Sequence, residues 1–178
     1  MLTEEQLIER ALEQAGIAMM ARAKTAPKAR GVDNLVYRLA EKNEIESIAQ
    51  EIENLGIEKD VPFFIRDSRN IQPLQYIILI GTKDLSRGVP QCGFCGYENC
   101  GHKLKNIGRC AYDLIDLGLA VGSALSLGQQ LGVDSRVMYT IGKAAMRLGF
   151  LPEAEVALGI PLSMTEKSPF FDRLTTSL

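Results

Sequence analysis

A chain of 178 residues, 46% hydrophobic and 24% charged, is long enough to bury a well-packed core of its own without covalent staples. Its formal charge of −2 and isoelectric point near 5.5 lack the basic excess that nucleic acid demands, so that partner class is excluded. The acidic start MLTEEQLIER is unlike a secretory leader, and no apolar run approaches the ~20 residues of a membrane span. The expected setting is therefore a reducing cytoplasm, with no membrane contact and with cysteines available as thiols.

Thr3 and Gln6 form a capping box, and Leu7, Ile8, Ala11, Leu12, Ala15, Ala18 and Met19 recur at helical spacing. Pro27 disfavours helical geometry at Ala26, which predicts that this first helix stops by Thr25. The loop TAPKARGVDN follows, where Lys24, Lys28 and Arg30 beside Gly31 suit a phosphate and equally suit a solvated turn. Asn34 to Ala40 is a short β-prone run, and Ile45, Ile48, Ala49, Ile52 and Leu55 mark a helix expected to end at Gly56. FFIRDSRNIQPL is expected to be a short turn, with Asp67, Arg69 and Asn70 as a polar set for a ligand or, more commonly, for capping. The continuous apolar run YIILIG, Tyr76 to Gly81, predicts a central strand leading through Pro90 into a cysteine-rich loop at 91–110.

Beyond Cys110, AYDLIDLGLAVGSALSLGQQLGV predicts a helix whose small residues, among them Gly118, Gly122 and Ala124, let another element approach its backbone. Asp134 is expected to cap a further helix through Met138, Ile141, Ala144, Ala145 and Leu148, ended by Gly149. VALGIPL predicts a last strand before the tail SMTEKSPFFDRLTTSL. No linker divides the chain, so residues 1–178 are expected to be one domain.

All four cysteines and the only histidine fall between Gln91 and Cys110, with the spacing Cys92-x2-Cys95-x4-Cys100-x9-Cys110. Thiols gathered this way are a chelate, and Gly93, Gly96 and Gly101 between them let the loop turn its N–H groups toward sulfur. Lys103, Lys105 and Arg109 supply positive charge against concentrated thiolate charge. Structural zinc prefers two separated C-x2-C pairs, and the second pair is missing. Four thiolates with one short gap and one distant ligand favour a [4Fe-4S] cluster, with zinc as the alternative. Two disulfides would need an oxidising compartment, and His102 reads as a solvated side chain rather than a ligand.

Two functional classes follow. One is an iron–sulfur protein that relays electrons, alone or as an oxidoreductase, with a redox partner protein. The other is a non-catalytic module whose metal pins a loop in assembly or regulation. No Ser-His-Asp, paired-carboxylate or phosphate-loop constellation is present in the sequence.

The CGFCGYENC loop, the DLGLAVGSALS helix, the DSRVMYTIGKAA segment and the GIPLS…FFDR ending together resemble a bacterial and archaeal family described as containing a ferredoxin domain. The order of elements outside the cysteine loop is similar to the nitroreductase-like flavoprotein fold. That resemblance implies an α+β architecture, a small and mainly antiparallel sheet flanked by helices, with the cysteine loop as an insertion. It also implies flavin mononucleotide held near its phosphate by Arg22, Lys24, Lys28 and Arg30. The arginine-rich run that opens nitroreductases is here Met20-Ala21-Arg22-Ala23-Lys24-Thr25, and Lys28 stands in the place of a serine. A homodimer is expected in which the glycine-rich helix meets its copy and the tail, through Phe170 and Phe171, lies on the partner.

Overall fold

A computed structural model describes residues 1–171. Helix α1 (Glu4–Lys24) starts at the expected capping box: Thr3 Oγ1 accepts the Gln6 N–H at 3.3 Å, and Gln6 Oε1 accepts the Thr3 N–H at 3.1 Å. It stops at Thr25, ahead of Pro27. After one turn of 3-10 helix at Ala29–Gly31 come strand β1 (Leu35–Ala40) and helix α2 (Lys42–Lys59).

Gly56, the expected stop signal for α2, lies inside the helix. Its missing side chain serves packing, because a Cβ there would stand 3.0 Å from Phe64 Cβ. The helix ends instead at Asp60, which takes the left-handed conformation at φ 52°.

The segment expected to be a turn is helix α3 (Pro62–Ile71). Pro62 suits the first helical turn, where its missing N–H costs nothing, and Phe64, Asp67, Ser68 and Ile71 bury one face at helical spacing. Strand β2 (Tyr76–Thr82) follows, then a long connection holding helix α4 (Cys100–Lys105), then helix α5 (Ala111–Gln130).

Asp134 does not cap a helix. Strand β3 (Asp134–Ser135) pairs with Ser163 and Leu162, and helix α6 (Tyr139–Arg147) begins only after Met138 has bridged to Gly159. The backbone pairing opposite the last strand outcompetes the local cap. Strand β4 (Val156–Ser163) completes the sheet, and a turn at Pro169–Phe171 ends the described chain.

The sheet is fully antiparallel in the order β1-β2-β4-β3, so the apolar run of β2 is central and buried throughout. Alternation sorts its side chains into two cores: Tyr76, Ile78 and Ile80 pack with α1 and α5, and Ile77 and Leu79 pack with α2, α3 and α6. The fold is therefore a small antiparallel sheet flanked by helices on both faces. Helix α6 lies unusually close to β4: a Cβ on Gly142 would sit 2.0 Å from the Ala157 carbonyl oxygen, and one on Gly159 would meet the Ile141 side chain.

Two expectations change here. Helix α5 is long and apolar enough to cross a bilayer by length and composition, contrary to the reading that no run approaches that size. One of its faces nevertheless packs on α1 and the sheet, burying Asp113, Asp116, Leu117, Ala120, Val121 and Ala124. Phe170, expected to lie on a partner copy, is 1% exposed in the chain's own core, and its carbonyl accepts from Asn70 Nδ2 and Arg136 Nη1. Residues 172–178 of the expected swapped tail lie outside the described residues.

The α6–β4 crossing yields a stability prediction. Gly142→Ala should destabilise by about 3 kcal/mol or more, because the clashing atom is strand backbone and cannot swing aside. Urea unfolding followed by circular dichroism measures it, and a loss under about 0.5 kcal/mol would show that the crossing relaxes freely.

Candidate metal centre

The connection between β2 and α5 is strapped to the first loop before it reaches the cysteines. Lys83 N–H donates to the Asn34 carbonyl at 3.0 Å, and Asn34 Nδ2 donates to the Leu85 carbonyl at 3.1 Å. Arg30 Nη1 donates to the Arg87 carbonyl at 2.9 Å. The Arg87 side chain is buried and faces two buried carboxylates of α5, with Nε 2.7 Å from Asp113 Oδ1 and Nη2 2.6 Å from Asp116 Oδ2. Its Nη1 donates to the Val32 carbonyl, and Asp116 also accepts the Ala29 N–H at 3.0 Å. Burial pushes the Asp113 carboxyl up, against the Arg87 guanidinium that pulls it down.

Past this anchor the chain turns through the cysteines. Gly93 and Gly96, at φ 60° and 80°, carry the Cys92–Cys95 turn, closed by a Gly96 N–H to Gly93 carbonyl bond of 2.9 Å. Cys100 is the first residue of α4, which Asn99 caps by accepting the His102 N–H at 2.9 Å. Cys110 is the N-cap of α5. The turn between these helices is fixed by Gly108, where a Cβ would run into the Tyr97 ring.

All four cysteines are free thiols and line one cavity of about 330 Å³. That is roughly ten times a water's share of liquid volume, room for more than one ion. Among the described residues, no three His, Cys, Asp or Glu side chains gather closely enough to share a single ion. The thiols stand around the cavity rather than converging on a point. Cys110 sits at the positive end of the α5 dipole.

Of the three cations read as charge compensation, Lys103 is buried in the cavity wall, Arg109 is exposed and holds Asp84 and Glu155 at 3.2 and 2.8 Å, and Lys105 is exposed. His102 lies at the surface, its ring and that of Tyr97 set edge to face with centroids 5.7 Å apart.

The four cations expected around a flavin phosphate have the following partners. Lys28 Nζ donates to the carbonyls of Ala23, Lys24 and Ala26 at 2.8 to 3.1 Å, closing the negative end of α1. Lys24 pairs with Asp33 at 2.6 Å, Arg30 holds the 87–88 backbone, and Arg22 is exposed on the last turn of α1. Three of the four thus have partners within the protein. Asp67 and Asn70 are also structural: Asp67 pairs with Arg66 at 2.7 Å and accepts from Thr140, and Asn70 holds the 169–171 turn, with Arg69 exposed beside them.

Residues 107–173 match the family described as an uncharacterized protein containing a ferredoxin domain. The matched stretch includes Cys110 alone of the four thiols. Across 97% of its length the chain is 40% identical to an uncharacterized protein of Archaeoglobus fulgidus, of which it covers 97%. The chain belongs to this ferredoxin-domain family.

Its fold is nitroreductase-like. The chain is similar to the FMN-dependent nitroreductase NfnB of Mycobacterium smegmatis, at a TM-score of 0.58 and 9% identity over 89% of this chain and 81% of that one. It is also similar to a putative NADH dehydrogenase/NAD(P)H nitroreductase of Bacteroides thetaiotaomicron, at 0.58 and 13% over 88% and 77%. At such identities the likeness is one of fold alone.

The sequence reading missed Arg87, Asp84, Asp113 and Asp116 as site residues. The available signal was Asp113 and Asp116 in DLIDLGLA, two acids one turn apart in an otherwise apolar helix, which demand a buried cation.

Arg87→Met should destabilise the protein by about 3–5 kcal/mol at neutral pH, since it strands two buried carboxylates. In that variant desolvation, no longer opposed by the guanidinium, holds the folded-state Asp113 carboxyl further above its unfolded pKa, so the folded state binds more protons and stability falls as pH rises. The deficit against wild type is therefore expected to shrink as pH falls from 7 toward 4. A deficit that is constant with pH in urea titrations would remove the charge argument.

Proposed function

We propose that this protein is an iron–sulfur redox protein whose [4Fe-4S] cluster is held by Cys92, Cys95, Cys100 and Cys110 and exchanges electrons with a partner protein in the cytoplasm. The observation that carries this reading is the single cavity lined by all four free thiols. The ferredoxin-domain description of the family supports it. When bound, such a cluster supplies one-electron transfer.

The chain's own part is to hold thiolates and compensate their charge. The Cys92–Cys95 turn presents two, the start of α4 a third and the N-cap of α5 the fourth. Lys103 and the α5 dipole oppose their negative charge. A tetrahedral zinc would draw its four sulfurs to about 3.8 Å of one another, given Zn–S bonds near 2.3 Å.

Protein purified anaerobically and reconstituted with ferrous iron and sulfide should be brown, bleach with dithionite and hold about four irons per chain. Each of the four Cys→Ser variants should lose most of that iron, and His102→Ala should keep it. A colourless wild type holding one zinc would sink the reading in favour of a structural metal.

A homodimer is the second part of this reading, favoured by the bare face of α5. Leu114, Ile115 and Leu119 are exposed there, and Gly118 and Gly122 have nothing within 4 Å of where a Cβ would lie. Light scattering should give twice the chain mass for wild type, and Leu119→Glu should return it to a monomer. A monomeric wild type at micromolar concentration would overturn the pairing.

A further inference from the structure

Lys103 is the unusual charge in the cavity wall. It is 3% exposed, and buried lysines are rare unless tightly paired. Its contacts are long: Nζ lies 3.3 Å from the Asp84 carbonyl, 3.4 Å from Asp84 Oδ1 and 3.4 Å from Ser86 Oγ. The Asp84 carboxylate has shorter commitments elsewhere, accepting the Cys110 N–H at 2.6 Å and pairing with Arg109 at 3.2 Å. Asp84 also holds φ at 51°, an uncommon geometry for a residue other than glycine, kept by these contacts. The ammonium is thus fixed, desolvated and incompletely neutralised, in the wall of the cavity that carries the four thiols.

We propose that Lys103 and Asp84 are an opposed pair of buried charges that set the reduction potential of the centre in this cavity. This rests on the iron–sulfur reading above. Reduction adds one electron, supplied in the test by dithionite, with no bond formed or broken and no proton moved. An added negative charge is stabilised by a nearby cation and opposed by a nearby anion, the more strongly where water is excluded. Lys103 therefore raises the potential and Asp84 lowers it. Asp84 has a second task, since its Oδ1 fixes the backbone of Cys110 at the start of α5.

The test is an anaerobic redox titration of reconstituted wild type and variants, followed by electron paramagnetic resonance and paired with iron and sulfide counts. Lys103→Met should shift the midpoint downward, and Lys103→Arg, which keeps the charge, should restore it. Asp84→Asn, which keeps an acceptor oxygen for the Cys110 N–H, should shift it upward. Lys105→Met, at the exposed cation two residues on, should leave it in place.

Opposite shifts from two neighbouring substitutions are what a purely structural role would not produce. Full iron with an unmoved midpoint in Lys103→Met, or shifts of the same sign in both variants, overturns the proposal. Should Lys103→Met fail to hold iron, Asp84→Asn decides alone, and an unmoved midpoint there is equally fatal. A wild type without iron overturns the iron–sulfur reading and this inference with it, whereas iron-replete variants with unshifted midpoints overturn only the inference.

Discussion

The buried guanidinium of Arg87 is the contact on which the site depends. It binds Asp113 and Asp116 on α5 and the Val32 carbonyl of the first loop, and its own carbonyl accepts from Arg30. Three stretches distant in sequence are thereby pinned at one end of the sheet. A charge so desolvated is tolerable only when every neighbour is in place, so the network specifies one arrangement rather than adding much net stability. The connection that carries Cys92, Cys95 and Cys100 departs from this anchor, and the helix that carries Cys110 begins beside it.

A second carboxylate, Asp84, extends the same logic to the cavity itself. It joins the N-cap of α5, the buried Lys103 of α4 and the exposed Arg109. Both helices that present thiols are thus referenced to one short segment after β2. Short regular elements set at defined ends hold ligands more rigidly than a free loop of the same length, which matters where the walls fix position and electrostatics together.

The nitroreductase-like fold sits differently here from the likeness alone. The loop after α1 turns its cations inward: Lys28 closes the helix end, Lys24 pairs with Asp33, and Arg30 straps the β2–α5 connection. These contacts tie the loop to the end of α1 and to the β2–α5 connection. One architecture can host different chemistries, so the fold by itself does not assign one to this chain.

The sequence by itself determined the elements with strong local signals and the thiol set. The Thr3–Gln6 capping box, the apolar run of β2 and the helix after Cys110 all stand where periodicity and caps put them, because each signal lies within one element. Four cysteines in a span of nineteen residues marked the candidate site for the same reason, and all four line one cavity. Tertiary structure decided the rest. Gly56 reads as a stop yet serves a helix contact, Asp134 reads as a cap yet pairs with β4, and PFFIRDSRNI reads as a turn yet becomes a helix once its apolar face has a core to cover. The fate of each cation was equally hidden, since whether a lysine faces solvent, a helix end or a thiol cavity depends on partners far along the chain. Arg87 and Asp116 are close only because the fold makes them so, and desolvation, which gives such a pair its force, exists only once the chain has closed around it.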